Sequence, residues 1–455
     1  MLRIDQRVLD VPIEPKDFRC VVEAMRSNEW VPAIAGSREA FFGLAAVEPA
    51  YEPFRDSRMT PGQSPEIGRM SVEVLFSSTA TFVLMFVIED RYWTTRAAGE
   101  PPWKGVNVMR VARDGNGDPS SELDDFCTLV RSSISAALDG RRTRHWPTEW
   151  KVPSASISRI KRLKNQFADE DVPLVLSPAQ FDPPTSHAAE VLADRRTREL
   201  LIEIAQARFA RETDVLSKRG KAREEVVASL DAMKDHGLIV TEHILQCEKT
   251  SSPLIRLSDP SQLTTESTGD LKCAHCGRKF SEESLSEGYS LSEVGRQLSR
   301  GSHWMTVWVT DRLTDLGVPI ESIVWNLEES SEEVDLLFEH LGRLWIVELK
   351  DRDFGAGDAH PFNYRRVRYS ANEAIVISAG KISTDAKRVF TELEKGAGRP
   401  RRAPTAMILI EGLDQVSPTL AGVFERAALD RVQARLGGPS SVTGFDLAQV
   451  AAQRS

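Results

Sequence analysis

The chain has 455 residues, 41% hydrophobic and 27% charged, with a net charge of −9. That length exceeds one ordinary core and suggests roughly three domains in a soluble globular protein. No apolar run reaches the roughly 18 residues needed to span a bilayer, so no membrane contact is expected, and the acidic total confines any nucleic-acid contact to a local basic face.

The opening Met1-Leu2-Arg3-Ile4-Asp5 has no basic segment followed by an apolar stretch, so no secretory signal is read and the expected location is the cytoplasm. Residues 1–150 read as an α+β domain. Ser71 to Asp90 and Gly105 to Ala112 have strand composition, and the turn signal Asp114 to Pro119 follows. Ser121 to Leu138 carries Leu123, Phe126, Leu129, Val130 and Ile134 at helical spacing. No chemical motif marks this domain, which leaves a partner-protein role open. His145, Trp146 and Trp150 beside basic residues favour packing over base stacking. Prolines punctuate residues 151–190, which read as a linker with one basic helix.

Residues 191–246 have the pattern of a winged helix. Helices are expected at Arg196 to Ala207, near Asp214 to Lys218, and at Arg223 to Asp235, the last burying Val226, Val227, Leu230 and Met233. Gly237 stands at a C-cap, and Leu238-Ile239-Val240 opens a β-wing. Lys218, Arg219, Lys221 and Arg223 lie where phosphate contacts belong in such a module; packing or homodimerisation is the competing role.

The five cysteines (Cys20, Cys127, Cys247, Cys273, Cys276) are odd in number and spread out, which argues against a disulfide framework. Cys273-Ala274-His275-Cys276-Gly277 has the spacing of a zinc knuckle. Cys247 lacks its partner, since Thr250 stands in the fourth position of Cys247-Glu248-Lys249-Thr250. Residues 247–285 therefore read as a small ribbon, either metal-free or holding a structural Zn²⁺ on Cys247, Cys273 and Cys276, with His243 or His275 as fourth ligand.

Residues 331–351 carry the chemistry. A strand from Glu333 to His340, a turn at Leu341-Gly342 and an apolar strand from Arg343 to Lys350 form a hairpin. A symmetric turn pairs His340 with Arg343 and, counting outward, Asp335 with Glu348. Lys350, two residues on, shares the face of Glu348. Two carboxylates on one face favour a hard divalent cation such as Mg²⁺ or Mn²⁺, with the Leu349 carbonyl as a further ligand. Lys350 would orient or deprotonate the attacking water and stabilise the transition state.

Asp335 followed by Glu348-Leu349-Lys350 resembles the PD-(D/E)XK, or restriction-endonuclease-like, superfamily. The flanking order agrees: helix 302–316, a strand near Ile323, the hairpin, helix 362–372, strand 374–378, helix 384–394 and strand 406–410. The resemblance implies an αβββαβ core within residues 286–455 and a metal-dependent nuclease, acting on DNA in preference to RNA, in the manner of restriction or phage-defence enzymes. Asn363, Tyr364 and Arg365 are the candidate substrate contacts. Where family members often carry a glutamate on the first helix, this chain has Thr306, with Asp311 further along. That departure keeps a second reading open, a catalytically inactive nucleic-acid-binding regulator or scaffold on a nuclease fold. The expected whole is a multidomain α/β and α+β protein.

Overall fold

A computed structural model describes residues 1–9, 21, 25, 66–67, 70–87, 105–113, 119–138, 149–152, 158–167, 181–217, 223–264, 268, 270–301, 303–329, 332–396, 406–443 and 446–454. Among these, the protein is mixed α/β with three sheets. It divides into two compact units, residues 1–158 with 421–455, and residues 159–420. The stretch 421–455, expected with the C-terminal domain, thus groups with the first unit. No helix among the described residues is long and apolar enough to cross a membrane.

The first unit holds an antiparallel sheet of β1 (Leu2–Leu9), β2 (Glu66–Ile67), β3 (Met70–Phe76), β4 (Thr81–Val87) and β5 (Gly105–Arg113), in the order β1-β5-β4-β3-β2. The single strand expected across residues 71–90 is a hairpin. Its turn is closed by the amide of Ser77 donating to the Ala80 carbonyl at 2.9 Å. Helix α1 (Pro119–Leu138) lays Leu123, Phe126, Val130 and Ile134 on Phe82, Phe86 and Val108, with the Phe82 and Phe126 rings stacked at 4.3 Å. Trp150 packs against the same cluster, while the turn signal at 114–118 and the pair His145-Trp146 fall outside the described residues.

Glu73 and Arg110 are buried charged residues of this unit. The Arg110 side chain is 1% exposed, and its Nη2 lies 2.6 Å from Glu122 Oε2. Glu122 Oε1 also accepts from the Ser77 and Thr79 hydroxyls at 2.6 and 2.7 Å. Burial pushes the Glu122 carboxyl up, but these hydrogen bonds and Arg110 outweigh it and hold the pKa below its ordinary value. We expect Glu122→Gln to destabilise the unit by on the order of 1–3 kcal/mol, because a buried guanidinium loses a hydrogen-bonded countercharge. Urea denaturation at neutral pH measures this. A depressed carboxyl pKa contributes stability above its unfolded value that is lost as the pH falls through the folded one, so the gap between the proteins should close in acid; a gap that widens there would contradict the assignment.

The second unit begins with α2 (Arg159–Phe167). Ile160 on this helix is buried in the core of the C-terminal sheet, so this part of the expected linker is a packed element. Next come α3 (Pro183–Val191), α4 (Arg195–Ala207), β6 (Ala210–Arg211), α5 (Glu212–Ser217) and α6 (Arg223–Asp235). Asp182 and Asp194 cap α3 and α4 through the amides of Thr185 and Thr197. Helix α6 buries Leu230 and Met233, whereas Val226 is half-buried and Val227 is exposed, contrary to expectation; only one stripe of the helix is covered. Gly237 closes the helix at φ +66°, in the left-handed region that favours glycine.

Strands β7 (Ile239–Gln246), β8 (Pro253–Leu257) and β9 (Ser284–Leu291) join β6 in the order β6-β9-β7-β8. Cys273 and Cys276 lie between β8 and β9, two strands of this sheet. Helices α7 (Glu293–Leu298) and α8 (His303–Asp315) lead out of it. Trp308 Nε1 on α8 donates to Glu190 at 3.0 Å, and the Arg198 guanidinium lies 4.6 Å from the Trp304 ring centre.

The last sheet has the order β10-β11-β12-β13-β14, from β10 (Ile323–Glu329), β11 (Glu332–His340), β12 (Arg343–Lys350), β13 (Glu373–Ser378) and β14 (Ala406–Glu411). The first three strands form an antiparallel meander; β12, β13 and β14 run parallel. Helices α9 (Ala356–Arg368) and α10 (Thr384–Gly396) make the crossovers, and α11 (Val416–Thr443) and α12 (Leu447–Arg454) end the chain. Strand β12 is buried from Leu344 to Leu349, as an apolar run between two neighbours should be.

Candidate active site

The β11–β12 hairpin turns through Leu341 (φ +53°) and Gly342 (φ +74°), the positive pair that suits the twist of a two-residue hairpin. Its ladder runs from His340↔Arg343 to Leu336↔Val347. One step further out stand Asp335 and Glu348, where regular pairing stops. On the other side of β11, Asn326 faces the same position with φ +45°. The strand thus lets go of both neighbours at Asp335. In place of a ladder bond, the Leu349 amide donates to Asp335 Oδ2 at 2.6 Å.

Glu348 is 3% exposed and is gripped from two sides. Lys350 Nζ lies 2.7 Å from Oε1. From α9, Arg365 Nη1 donates to Oε2 at 2.9 Å and Nη2 approaches Oε1 at 3.5 Å. Arg365 also donates to the Glu333 carbonyl, and its side chain is 10% exposed. Alternation puts Asp335, Glu348 and Lys350 on the sheet face that carries α9.

Electrostatics follow from this crowding. Burial, reinforced by the neighbouring Glu348 charge, pushes the Asp335 carboxyl up to about 7. Burial pulls Lys350 down, but the Glu348 and Asp335 carboxylates outweigh it and its pKa is raised. Lys350 is therefore an ammonium at neutral pH, suited to orienting and charge stabilisation. Taking a proton from water, the other role considered for it, does not fit that state.

The remaining candidates are distributed unevenly. Asn363 on α9 is half-buried, with Oδ1 lacking a hydrogen-bond partner, and Tyr364 is 54% exposed. Arg365 points inward to Glu348. The segment 354–358, which has the composition of a flexible loop, instead starts α9: Gly355 is its N-cap, and Asp358 accepts the Gly355 amide at 3.0 Å while pairing with Arg352 at 2.9 Å. Thr306 is buried in α8. That helix meets the opposite sheet face, since Trp325, the partner of Leu336, donates to Thr310 at 2.8 Å. Asp311 is paired with Arg312. Neither Thr306 nor Asp311 supplies a third carboxylate beside Asp335. In the helical module, Arg223 is exposed at the start of α6, and Lys218, Arg219 and Lys221 lie outside the described residues.

Cys247, Cys273 and Cys276 come together, and the fourth group beside them is Glu283, with ligand atoms all within 4.8 Å of one another. His275 is exposed, and His243 sits four residues back along β7. The expectation of a histidine at this cluster is thereby corrected. No signal singles out Glu283 in the sequence, because the chain has 67 acidic residues and this one follows no spacing rule.

No family model matches the chain, and no curated protein matches it. Among solved structures, protein VC1899 from Vibrio cholerae is matched over 68% of this chain and 80% of that one, at 12% identity and a TM-score of 0.34. A repair endonuclease from Pyrococcus abyssi is matched over 42% of this chain and 95% of that one, at 13% identity and a TM-score of 0.18. Superpositions this loose bear on neither fold nor chemistry, so the functional reading rests on the hairpin site itself.

Proposed function

We propose that the second unit is a divalent-metal-dependent nuclease with Asp335, Glu348 and Lys350 as its catalytic groups. The observation that carries this reading is the meeting of two acids and an ammonium at the end of a buried hairpin. The residues can hold a metal: Asp335 and Glu348 bring two carboxylates to the end of the hairpin, and burial together with the Glu348 charge disfavours the ionised Asp335 until a cation joins it. Asp335 and Glu348 would hold Mg²⁺ or Mn²⁺, with the Leu349 carbonyl as a further oxygen, and the ion would offset charge on a scissile phosphate and acidify an attacking water. Lys350 then orients that water and donates to the developing charge on phosphate. Tyr364, exposed on the next turn of α9, offers a ring to a nucleobase, and Arg223 offers charge to a backbone phosphate.

Duplex DNA is the substrate we favour over RNA, in a restriction or phage-defence setting, on the strength of the motif resemblance. Plasmid DNA with Mg²⁺ or Mn²⁺ tests the activity, beside labelled single-stranded RNA. We expect nicking that Lys350→Ala reduces by roughly 10²–10³-fold, the usual effect of losing one stabilising donor. Equal nicking by both proteins would remove the assignment.

Two observations favour a second reading, a nucleic-acid-binding regulator or scaffold without catalysis. Thr306 leaves the accessory acid missing, and Arg365 with Lys350 already neutralises Glu348. Duplex binding with no cleavage in any divalent metal would select it.

A further inference from the structure

The turn after β7 and the cysteine knuckle after it are built alike. In the first, the Ser251 amide donates to the Cys247 carbonyl at 2.7 Å and the Cys247 amide to the Ser252 carbonyl at 2.9 Å. In the second, the Gly277 amide donates to the Cys273 carbonyl at 2.8 Å and the Cys273 amide to the Arg278 carbonyl at 2.8 Å. The fifth residue of each turn has positive φ, +54° at Ser251 and +78° at Gly277. Backbone amides hydrogen-bond the sulfurs in both: Lys249 and Thr250 to Cys247, His275 to Cys273 at 3.4 Å. Two knuckles of one design therefore face each other. Thr250 occupies in the first the place that Cys276 occupies in the second.

Two facing knuckles would normally present four thiolates to one tetrahedral ion. Here the chain supplies three, and the fourth group arrives from outside both turns. Glu283, the residue before β9, is 9% exposed. Its Oε2 is fixed by the Glu248 amide at 2.7 Å, and its Oε1 meets Cys276 Sγ at 2.7 Å. The carboxylate is thus oriented by the first knuckle and aimed at the second, as outer hydrogen bonds orient a ligand. Zn–S bonds of roughly 2.3 Å and Zn–O bonds of roughly 2.0–2.2 Å imply ligand separations a little under 4 Å; the observed spread, within 4.8 Å, needs the widest pairs to draw in and the 2.7 Å Cys276–Glu283 pair to open.

We propose that Cys247, Cys273, Cys276 and Glu283 bind one structural Zn²⁺ that clamps the β7–β8 turn and the knuckle to the entry of β9. Three soft thiolates and one oxygen select zinc over Mg²⁺ or Ca²⁺. All four positions come from the protein, so the site is closed and its role structural. It is independent of the hairpin site, and nuclease activity is no part of its test.

The full chain, purified without chelator, should carry one zinc by elemental analysis. Replacement with Co²⁺ should give tetrahedral d–d bands and thiolate-to-cobalt charge transfer. Glu283→Gln should keep the fold and the Glu248 contact but weaken zinc at least about tenfold in a chelator competition. Glu283→Cys should restore tight binding and strengthen the charge-transfer band. His275→Ala and His243→Ala should leave stoichiometry and spectrum unchanged. Protein that carries no zinc and gives no tetrahedral cobalt spectrum would overturn the proposal. So would a spectrum that survives Glu283→Gln intact and is lost in His275→Ala, which would make the histidine the fourth ligand.

Discussion

Arg365→Met is expected to destabilise the second unit by about 3–5 kcal/mol, the cost of removing one partner from a buried ion pair. The Glu348 carboxylate is 3% exposed and receives both Arg365 nitrogens. Methionine keeps much of the volume and removes the charge, and the Glu333 carbonyl loses a donor as well. Lys350 remains at 2.7 Å, but it is the more exposed cation and also faces Asp335. Denaturation followed by tryptophan fluorescence measures the loss, since Trp325 and Trp345 are fully buried in this sheet. The double variant Arg365→Met/Glu348→Gln separates the causes. If an uncompensated carboxylate is responsible, the double variant recovers a large part of the stability. A single variant within about 1 kcal/mol of the parent would show that Lys350 alone neutralises Glu348. Arg365 would then be free to serve a substrate.

How much of this site is legible in the sequence depends on distance along the chain. The hairpin is local: a two-residue turn, an apolar strand and period-two alternation give the register from His340↔Arg343 to Leu336↔Val347, whereas the expected direct pairing of Asp335 with Glu348 lies one step past the end of that ladder. The element order from α8 to β14 is readable for the same reason, because each strand and helix carries its own period. What lies far apart in sequence carries no such signal. Strand β1 pairs with β5 across about a hundred residues, and nothing in Leu2 to Leu9 names its partner. The grouping of residues 421–455 with the first unit is equally silent. At the site, a basic run on α9 reads as a substrate contact, whereas Arg365 is consumed by Glu348; one turn of rotation decides that, and composition does not. In the cysteine cluster, Thr250 at a cysteine's position shows that a ligand is missing, but the replacement comes from Glu283, seven residues past Cys276.

Asp335→Asn should cut hydrolysis by on the order of 10³-fold or more, the scale of losing a metal's charge stabilisation. The same change should stabilise the metal-free protein in alkali. The sign follows from Asp335 being held at about 7 against an ordinary value of 3.8. The folded state binds this proton more tightly than the unfolded one, so its contribution is complete below about pH 4 and is lost as the pH rises to about 7. Above that, the parent protein carries a buried charge beside Glu348 and the asparagine variant does not. Asparagine Oδ1 can still accept the Leu349 amide, so the local bond survives. Melting temperatures in EDTA should therefore match near pH 4 and diverge by on the order of a few degrees by pH 8, with the variant higher. Mg²⁺ should raise the parent at pH 8, leave it nearly unmoved at pH 5, and leave the variant unmoved at both, because only the ionised pair attracts the cation. Parallel melting curves across the whole range would mean that the carboxyl is not held protonated. A Mg²⁺ shift of equal size in the asparagine variant would place the ion elsewhere, and with it the chemistry proposed for the hairpin.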